Sequence, residues 1–454
     1  MSFNHQRYPA LLCFLLFSAG IIAGWSGNWI IVLFALLLIL SILRISPYIV
    51  LLVLGVLFVN VEKYRLNLLD KREFLNKKVM IQGEIVDEKF LKTDYIRTTS
   101  TLYRVNTKFF IKTELPCGRI GATGKLYFPE GKFRTYLISN RAIGVFKPYI
   151  LRRRGRCGFK DRVRGILREN AWNSVHYEIM RALILAERKG VKESVLDLFK
   201  ETGTMHVLAL SGLHIGIIAV ILTALFSLMR LPERFSLVAT LVFLTGYLYM
   251  IGLKSSLLRA YIFFASLIVA RLMYRKIDYL NVWGFAGLVS LAVNPLWIFN
   301  VGFQFSYIAT LGIILSIPPS IRGFKGYVLG TLLTSSAATL FVSPLQIYYF
   351  KIFTPIAVVA NLVAIPLVFV ILSEVFPGLI LSLSGLHLAG RIFFNTGNLA
   401  ILLLLKFLKF AGRIPISFSY SESPLSAFQT VLFVIFLTVL FGGLRILVPD
   451  AEEP

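Results

Sequence analysis

Two of the chain's five histidines, His206 and His214, stand either side of Ser211 and Gly212 in the run Thr202-Gly203-Thr204-Met205-His206-Val207-Leu208-Ala209-Leu210-Ser211-Gly212-Leu213-His214. This run opens a long apolar stretch, where an ionisable side chain costs on the order of 3 kcal/mol and therefore turns to water, a polar partner or a ligand path. Three chemistries use these residue types. Ser211 can act as a nucleophile with His206 or His214 as its base, but the nearest acid to orient that base, Glu201, lies outside the run. The two histidines can ligate a metal, but zinc takes a third protein ligand, which Glu201 or His176 would have to supply by folding. The set can also line a polar route. On one helix at ~100° per residue, Ser211 and His214 are about 60° apart and His206 and His214 about 80°, so all can face one lumen. The polar route needs no missing group and is the expectation adopted, with no catalytic residue, metal or cofactor assigned.

The elements that must position these residues are membrane spans. Hydrophobic residues make up 57% of the 454, charged residues 16%, and the mean hydropathy is +0.75, far from soluble globular composition. Residues 1–61 read as about three short spans, broken near Ser26-Gly27-Asn28 and Arg44-Ile45-Ser46-Pro47; an uncleaved anchor fits better than a signal peptide because further spans follow at once. Residues 203–449 read as some eight to ten more. Breaks are expected near Arg230–Arg234, Gly252–Ser256, Arg271–Asp278, Asn294–Asn300, Arg322–Gly326, Ser343–Thr354, Phe376–Gly378 and Lys406–Ser423, and Pro344, Pro355 and Pro366 are expected to bend or break spans. Between the blocks, residues 62–158 form a separate polar domain, with strands expected at Lys78–Val86, Tyr103–Thr113 and Gly118–Phe128. Residues 159–202 read as a basic amphipathic, interfacial helical segment. Basic short loops at Arg230/Arg234, Arg271/Arg275/Lys276 and Arg322/Lys325 set those connections in the cytoplasm and the 62–158 domain outside.

The formal net charge is +25, and Arg152, Arg153, Arg154 and Arg156 head a cluster suited to phosphate, whether of nucleic acid or of anionic lipid. Between Gly203 and Pro449 fifteen Lys or Arg face only Glu233, Asp278, Glu374 and Glu422, so an anion path fits better than a cation path. Arg259, set among Leu257, Leu258, Phe263 and Phe264, either snorkels to the interface or meets a phosphate. Tyr247, Tyr249 and Tyr261 are candidates to stack with bases or to belong to an interfacial belt. Gly121-Ala122-Thr123-Gly124-Lys125-Leu126 lacks the spacing and the hydroxyl of a phosphate-binding loop, so no ATPase is expected here. Leu383-Ser384-Gly385-Leu386-His387 copies Leu210–His214 but the match does not extend, and it is read as coincidence.

The Thr202–His214 run resembles the G-T-x-H-L-L-A-I-S-G-L-H signature of the ComEC family of competence DNA-uptake channels. Asn294-Pro295-Leu296-Trp297-Ile298-Phe299-Asn300-Val301-Gly302-Phe303-Gln304-Phe305-Ser306-Tyr307 is similar to that family's D-P-x-x-x-x-x-x-G-F-Q-L-S-F block, and Asn361-Leu362-Val363-Ala364-Ile365-Pro366-Leu367 to its N-L-L-A-I-P-L segment. Pro129–Leu137 resembles its P-G-x-F-D-Y-x-x-Y-L element without the aspartate. The resemblance implies a polytopic α-helical membrane protein with an inserted small β-rich OB-like soluble domain. It implies a bacterial inner-membrane channel for single-stranded DNA, with His206, Ser211, Gly212, His214, Arg259, Gln304 and Asn361 along the path. Longer family members carry a metallo-β-lactamase-like domain, so a separate nuclease and a separate cytoplasmic motor or DNA-binding protein are expected as partners beside membrane lipids. The alternatives are a membrane-embedded enzyme acting on a lipid or peptide, and a transporter of a smaller anion. With the 62–158 domain outside, Cys117 and Cys157 are either a disulfide or two unrelated thiols. The sequence does not specify an oligomeric state.

Overall fold

The computed structural model describes residues 9–26, 54–62, 78–87, 90–98, 102–111, 119–129, 132–153, 159–188, 190–208, 212–316, 323–414, 418–420 and 425–447. They fall into two compact units, one of Met1–Arg162 with Leu248–Gln304 and the other of Val163–Tyr247 with Phe305–Pro454.

The first unit holds α1 (Pro9–Ser26), α2 (residues 54–62) and a five-stranded closed barrel. Its strands are β1 (Lys78–Asp87), β2 (Phe90–Arg97), β3 (Leu102–Ile111), β4 (Arg119–Tyr127) and β5 (Ala142–Arg153). They close in the order β1-β2-β3-β5-β4, with β3 and β5 parallel and every other pair antiparallel, which is an OB-like arrangement. Alternation explains the build. Val79 and Ile81 point into a core with Leu91, Ile96, Phe109, Ile111, Ile120, Leu126 and Phe146, while Met80 between them faces out. Register shifts at Gln82/Gly83 and Thr123/Gly124 bend the strands toward closure. The three expected strands are present. β2 and β5 escaped notice, because β2 alternates around polar residues and β5 carries Pro148 and ends in the basic cluster. A helix, α3 (Lys132–Ser139), fills the β4–β5 connection.

The same unit continues with α10 (Ser255–Leu272), α11 (Tyr279–Val293) and a 3-10 turn, Pro295–Phe299. α4 (Phe159–Asn170) runs from the first unit into the second, which continues with α5 (Ser174–Leu185), α6 (Glu193–Glu201), the four-residue α7 (Met205–Leu208) and α8 (Gly212–Leu228). α9 (Glu233–Ile251) and α12 (Val301–Ser316) run from one unit into the other. α13 (Gly323–Phe350), α14 (Ala357–Leu383), α15 (His387–Ala411) and α16 (Ala427–Leu447) complete it, with a two-stranded ribbon of β6 (Ile352–Phe353) and β7 (Phe418–Ser419). Among the described residues five helices are long and apolar enough to cross a membrane, α9, α10, α13, α14 and α15, and shorter apolar helices accompany them. The protein is a multi-pass membrane protein. Of the three spans expected in residues 1–61, the middle one lies outside the described residues.

Two expectations about helix breaks are corrected. α14 runs unbroken through Phe376–Gly378, and the break falls at Ser384–Leu386 instead. Gly385 sits there at φ +88°, and the Leu386 N–H bonds back to Leu381 O, the glycine-terminated end of a helix. Nor do Pro344 and Pro366 end α13 and α14. A proline frees the carbonyl four residues earlier, and both freed carbonyls are taken: Ser343 Oγ donates to Leu340 O at 2.8 Å, and the Tyr327 hydroxyl from α13 donates to Leu362 O at 3.3 Å. Hydroxyls of this kind let a membrane helix keep a proline. Pro355 lies in the turn before α14.

Candidate functional site

The histidine run begins as the end of α6. Gly203 N–H bonds Lys200 O at 3.0 Å and Thr204 N–H bonds Phe199 O at 2.9 Å, a paired closure that requires a left-handed residue between them. Gly203 supplies it at φ +66°. A Cβ there would also stand 2.6 Å from Ala357 Cβ and 2.7 Å from Thr354 Oγ1, so glycine is fixed twice, by its dihedral and by the start of α14. Thr202 and Thr204 are buried. The Thr202 hydroxyl donates to Leu198 O at 2.7 Å, which leaves Thr204 Oγ1 to donate to Thr202 Oγ1 at 2.8 Å. Thr354 Oγ1 accepts from Gln346 Nε2 at 2.9 Å. The two threonines thereby fix the turn that leads into His206, and Gly203 sets it close against the α13–α14 connection.

His206 follows on α7 and is exposed. Its Nδ1 lies 3.2 Å from Gly203 O, an atom that only accepts, so Nδ1 carries the proton and Nε2 is left as the outward group. Ser211 lies outside the described residues. Gly212 opens α8, and His214 in its first turn is fully buried. The two histidines thus occupy different environments, one on the surface and one in the core.

Asn361 on α14 is buried and donates from Nδ2 to Ser335 Oγ of α13 at 3.3 Å, a polar tie between two apolar helices. Arg259 and Gln304 belong to the other unit. Arg259 is buried on α10 with its guanidinium 5.9 Å from the centre of the Phe263 ring, and Gln304 Nε2 bonds Ile298 O at 2.9 Å. Tyr247 is buried, donates its hydroxyl to Ile184 O at 2.7 Å and meets Phe376 edge-on, so it presents no open face for stacking. Arg152 and Arg153 end β5 opposite Gly121 and Ile120. Arg154, Arg156, Cys117 and Cys157 lie outside the described residues.

The structure brings together two motifs far apart in sequence, Pro129–Leu137 and Asn294–Tyr307. Asn294 Oδ1 caps the 3-10 turn at Leu296 N (3.1 Å) while its Nδ2 donates to Ser139 O at the end of α3 (3.1 Å). Asn300 repeats the arrangement, capping α12 at Phe303 N (3.3 Å) and donating to Ser139 Oγ (3.2 Å). Arg141, just past α3, bonds Val293 O at the end of α11 (2.9 Å) and pairs with the buried Glu62 that ends α2. The barrel is therefore latched by α3 and its turn to α2, the end of α11, the 3-10 turn and the start of α12, all within its own unit.

A second polar centre lies in the other unit. Asn398, fully buried near the midpoint of the 25-residue α15, donates from Nδ2 to Phe394 O (2.8 Å) and Asn170 O (2.9 Å). Its Oδ1 accepts from Trp172 N (3.2 Å) and faces His176 Nδ1 (2.8 Å), so His176 also carries its proton on Nδ1. The corner between α4 and α5 is thus pinned to the middle of an apolar helix. A metal site through His176 Nδ1 is precluded by that bond.

Residues 183–445, more than half of the chain, match the family described as competence protein. The chain belongs to the competence protein family. It is 31% identical over 226 residues to ComE operon protein 3 of Bacillus subtilis (strain 168), covering 49% of this chain and 29% of that one. It is 26% identical over 243 residues to the uncharacterized protein YcaI of Escherichia coli (strain K12), covering 50% and 31%. An uncharacterized protein of Aquifex aeolicus (strain VF5) is 29% identical over 217 residues, covering 46% and 50%. The chain thus spans between about a third and a half of the length of these relatives. No solved structure matches it. The family region contains the histidine run, Asn361, the 294–307 block and Asn398, and it starts inside α5, within the segment read from sequence as interfacial.

Proposed function

We propose that the chain takes part in DNA uptake during natural transformation, as an inner-membrane channel that carries single-stranded DNA inward. The observation that carries this reading is the competence-family match over residues 183–445, joined by the similarity to ComE operon protein 3. A multi-pass helical build with a net charge of +25 supports it, because a single strand presents one negative charge per ~3.4 Å and has to be met by water, cations or donors inside the membrane. In this reading the OB-like barrel is extracytoplasmic and receives the strand, and the exposed His206 offers its Nε2 at the entrance. A cytoplasmic motor or DNA-binding protein pulls the strand inward.

Uptake of labelled DNA by cells carrying His206→Ala tests it. His206 is exposed, so the variant is expected at normal membrane level and with normal surface binding of DNA, yet with internalised DNA lost. Unchanged internalisation would overturn the role of His206, and loss of surface binding alone would place the defect before the membrane.

A further inference from the structure

Trp172 stands at the corner between α4 and α5, and the hub around Asn398 leaves one of its faces unused. The side chain is 51% exposed, although its backbone N–H is buried in the Asn398 cluster. One face of the indole is covered by the His176 ring, at 5.6 Å between centroids and 24° between planes. Its Nε1–H donates to Asn395 Oδ1 at 3.1 Å. His176 is fixed by Asn398, and Asn395 and Asn398 are both on α15, so the ring is held from beneath and along its edge.

An interfacial anchor would send its N–H to water or headgroups. This indole sends it sideways into α15, about 12 Å from the start of that helix at 1.5 Å per residue. In the body of an apolar span, polar side chains that met lipid would be costly. Arg391, Asn395 and Thr396 are nevertheless exposed on α15, and Arg391 lies one turn from Asn395 on the same face. Arg168 is exposed in the last turn of α4, four residues before Trp172. Neither Arg168 nor Arg391 forms an ion pair among the described residues. A rigid open aromatic face beside amide groups and uncommitted guanidinium groups is the chemistry that holds single-stranded nucleic acid, through base stacking and phosphate contact.

We propose that Trp172, held by His176 and Asn395, is a stacking platform for the bases of an unpaired nucleic-acid strand, with Arg168 and Arg391 meeting its phosphates. This rests on the single-stranded-DNA reading above and assigns that reading a subsite. It predicts a preference for bases over backbone, which phosphate contacts alone do not give.

The test is equilibrium binding by the full chain in nanodiscs of zwitterionic lipid, with fluorescein-labelled dT12 and a 12-mer abasic oligomer that keeps the phosphates. The wild type is expected to favour dT12. Trp172→Ala is expected to weaken dT12 by about 5- to 150-fold, the range for losing one stacked base, and to leave the abasic oligomer unchanged. Trp172→Phe, which keeps an aromatic face, is expected to retain most of the preference. Trp172→Ala with an undiminished preference for dT12, or with equal loss for both oligomers, would overturn the platform. Wild-type protein that binds both oligomers equally would overturn it too and leave the DNA reading intact, whereas wild type that binds neither would overturn the DNA reading itself.

Discussion

At the scale of single residues, Gly203 is the position on which the histidine run depends. Alanine there takes on a left-handed backbone, at about 1 to 2 kcal/mol, and a contact with Ala357 and Thr354 that only a shift of α14 relieves. Gly203→Ala is expected to destabilise the protein by about 2 kcal/mol or more, read as a lower unfolding midpoint in detergent and a lower membrane level. Asn398→Leu is expected to cost about 2 to 4 kcal/mol by the same measurement, because it orphans the Asn170 carbonyl and the Trp172 and His176 donors in a buried site. The two sites differ in legibility. The run from Thr202 to His214 was visible because its polar residues cluster in a dozen positions. Asn398 was not, since its partners outside α15 lie 222 to 228 residues away and an asparagine within an apolar helix signals nothing by itself. The same limit applied to Ser139 and Arg141, whose partners only the fold supplies.

At the scale of elements, capping and docking can be separated. Asn294 uses its oxygen to cap and its nitrogen to hold α3. Asn294→Asp keeps the cap, removes the donor and sets a carboxylate against the Ser139 carbonyl. It is expected to speed amide exchange in residues 132–141 by about 10-fold or more while the barrel strands stay protected, the size of effect that follows from losing about 1.5 kcal/mol. Equal protection in both proteins would show that the latch does not depend on this amide. The spans themselves were legible from their hydropathy, and most breaks fell where charges or glycines interrupt the apolar runs. Pro355 falls at a break as expected, whereas Pro344 and Pro366 stay inside their helices, where a side-chain hydroxyl takes the carbonyl that the missing N–H frees. Gly385 misled in the other direction, since a single glycine gives little sequence signal and yet its dihedral ends α14.

At the scale of the whole molecule, charge is the term that acts at a distance. A single strand held by about four cations would lose about 50-fold in affinity between 50 and 200 mM salt, from a slope near −0.7 per phosphate contact. Titrating dT12 binding at the two concentrations checks this, and a flat response would count against phosphate contacts. The barrel, finally, has a constrained outlook. OB-type barrels grip oligonucleotides across strands 2 and 3 and through the loops joining strands 1 to 2 and 4 to 5. Here the 4-to-5 connection is α3, and it is spent on Asn294, Asn300 and the end of α11. If the barrel receives a strand as proposed, β2, β3 and the opposite loop are the surface left to it, a one-sided hand whose wrist is already fastened.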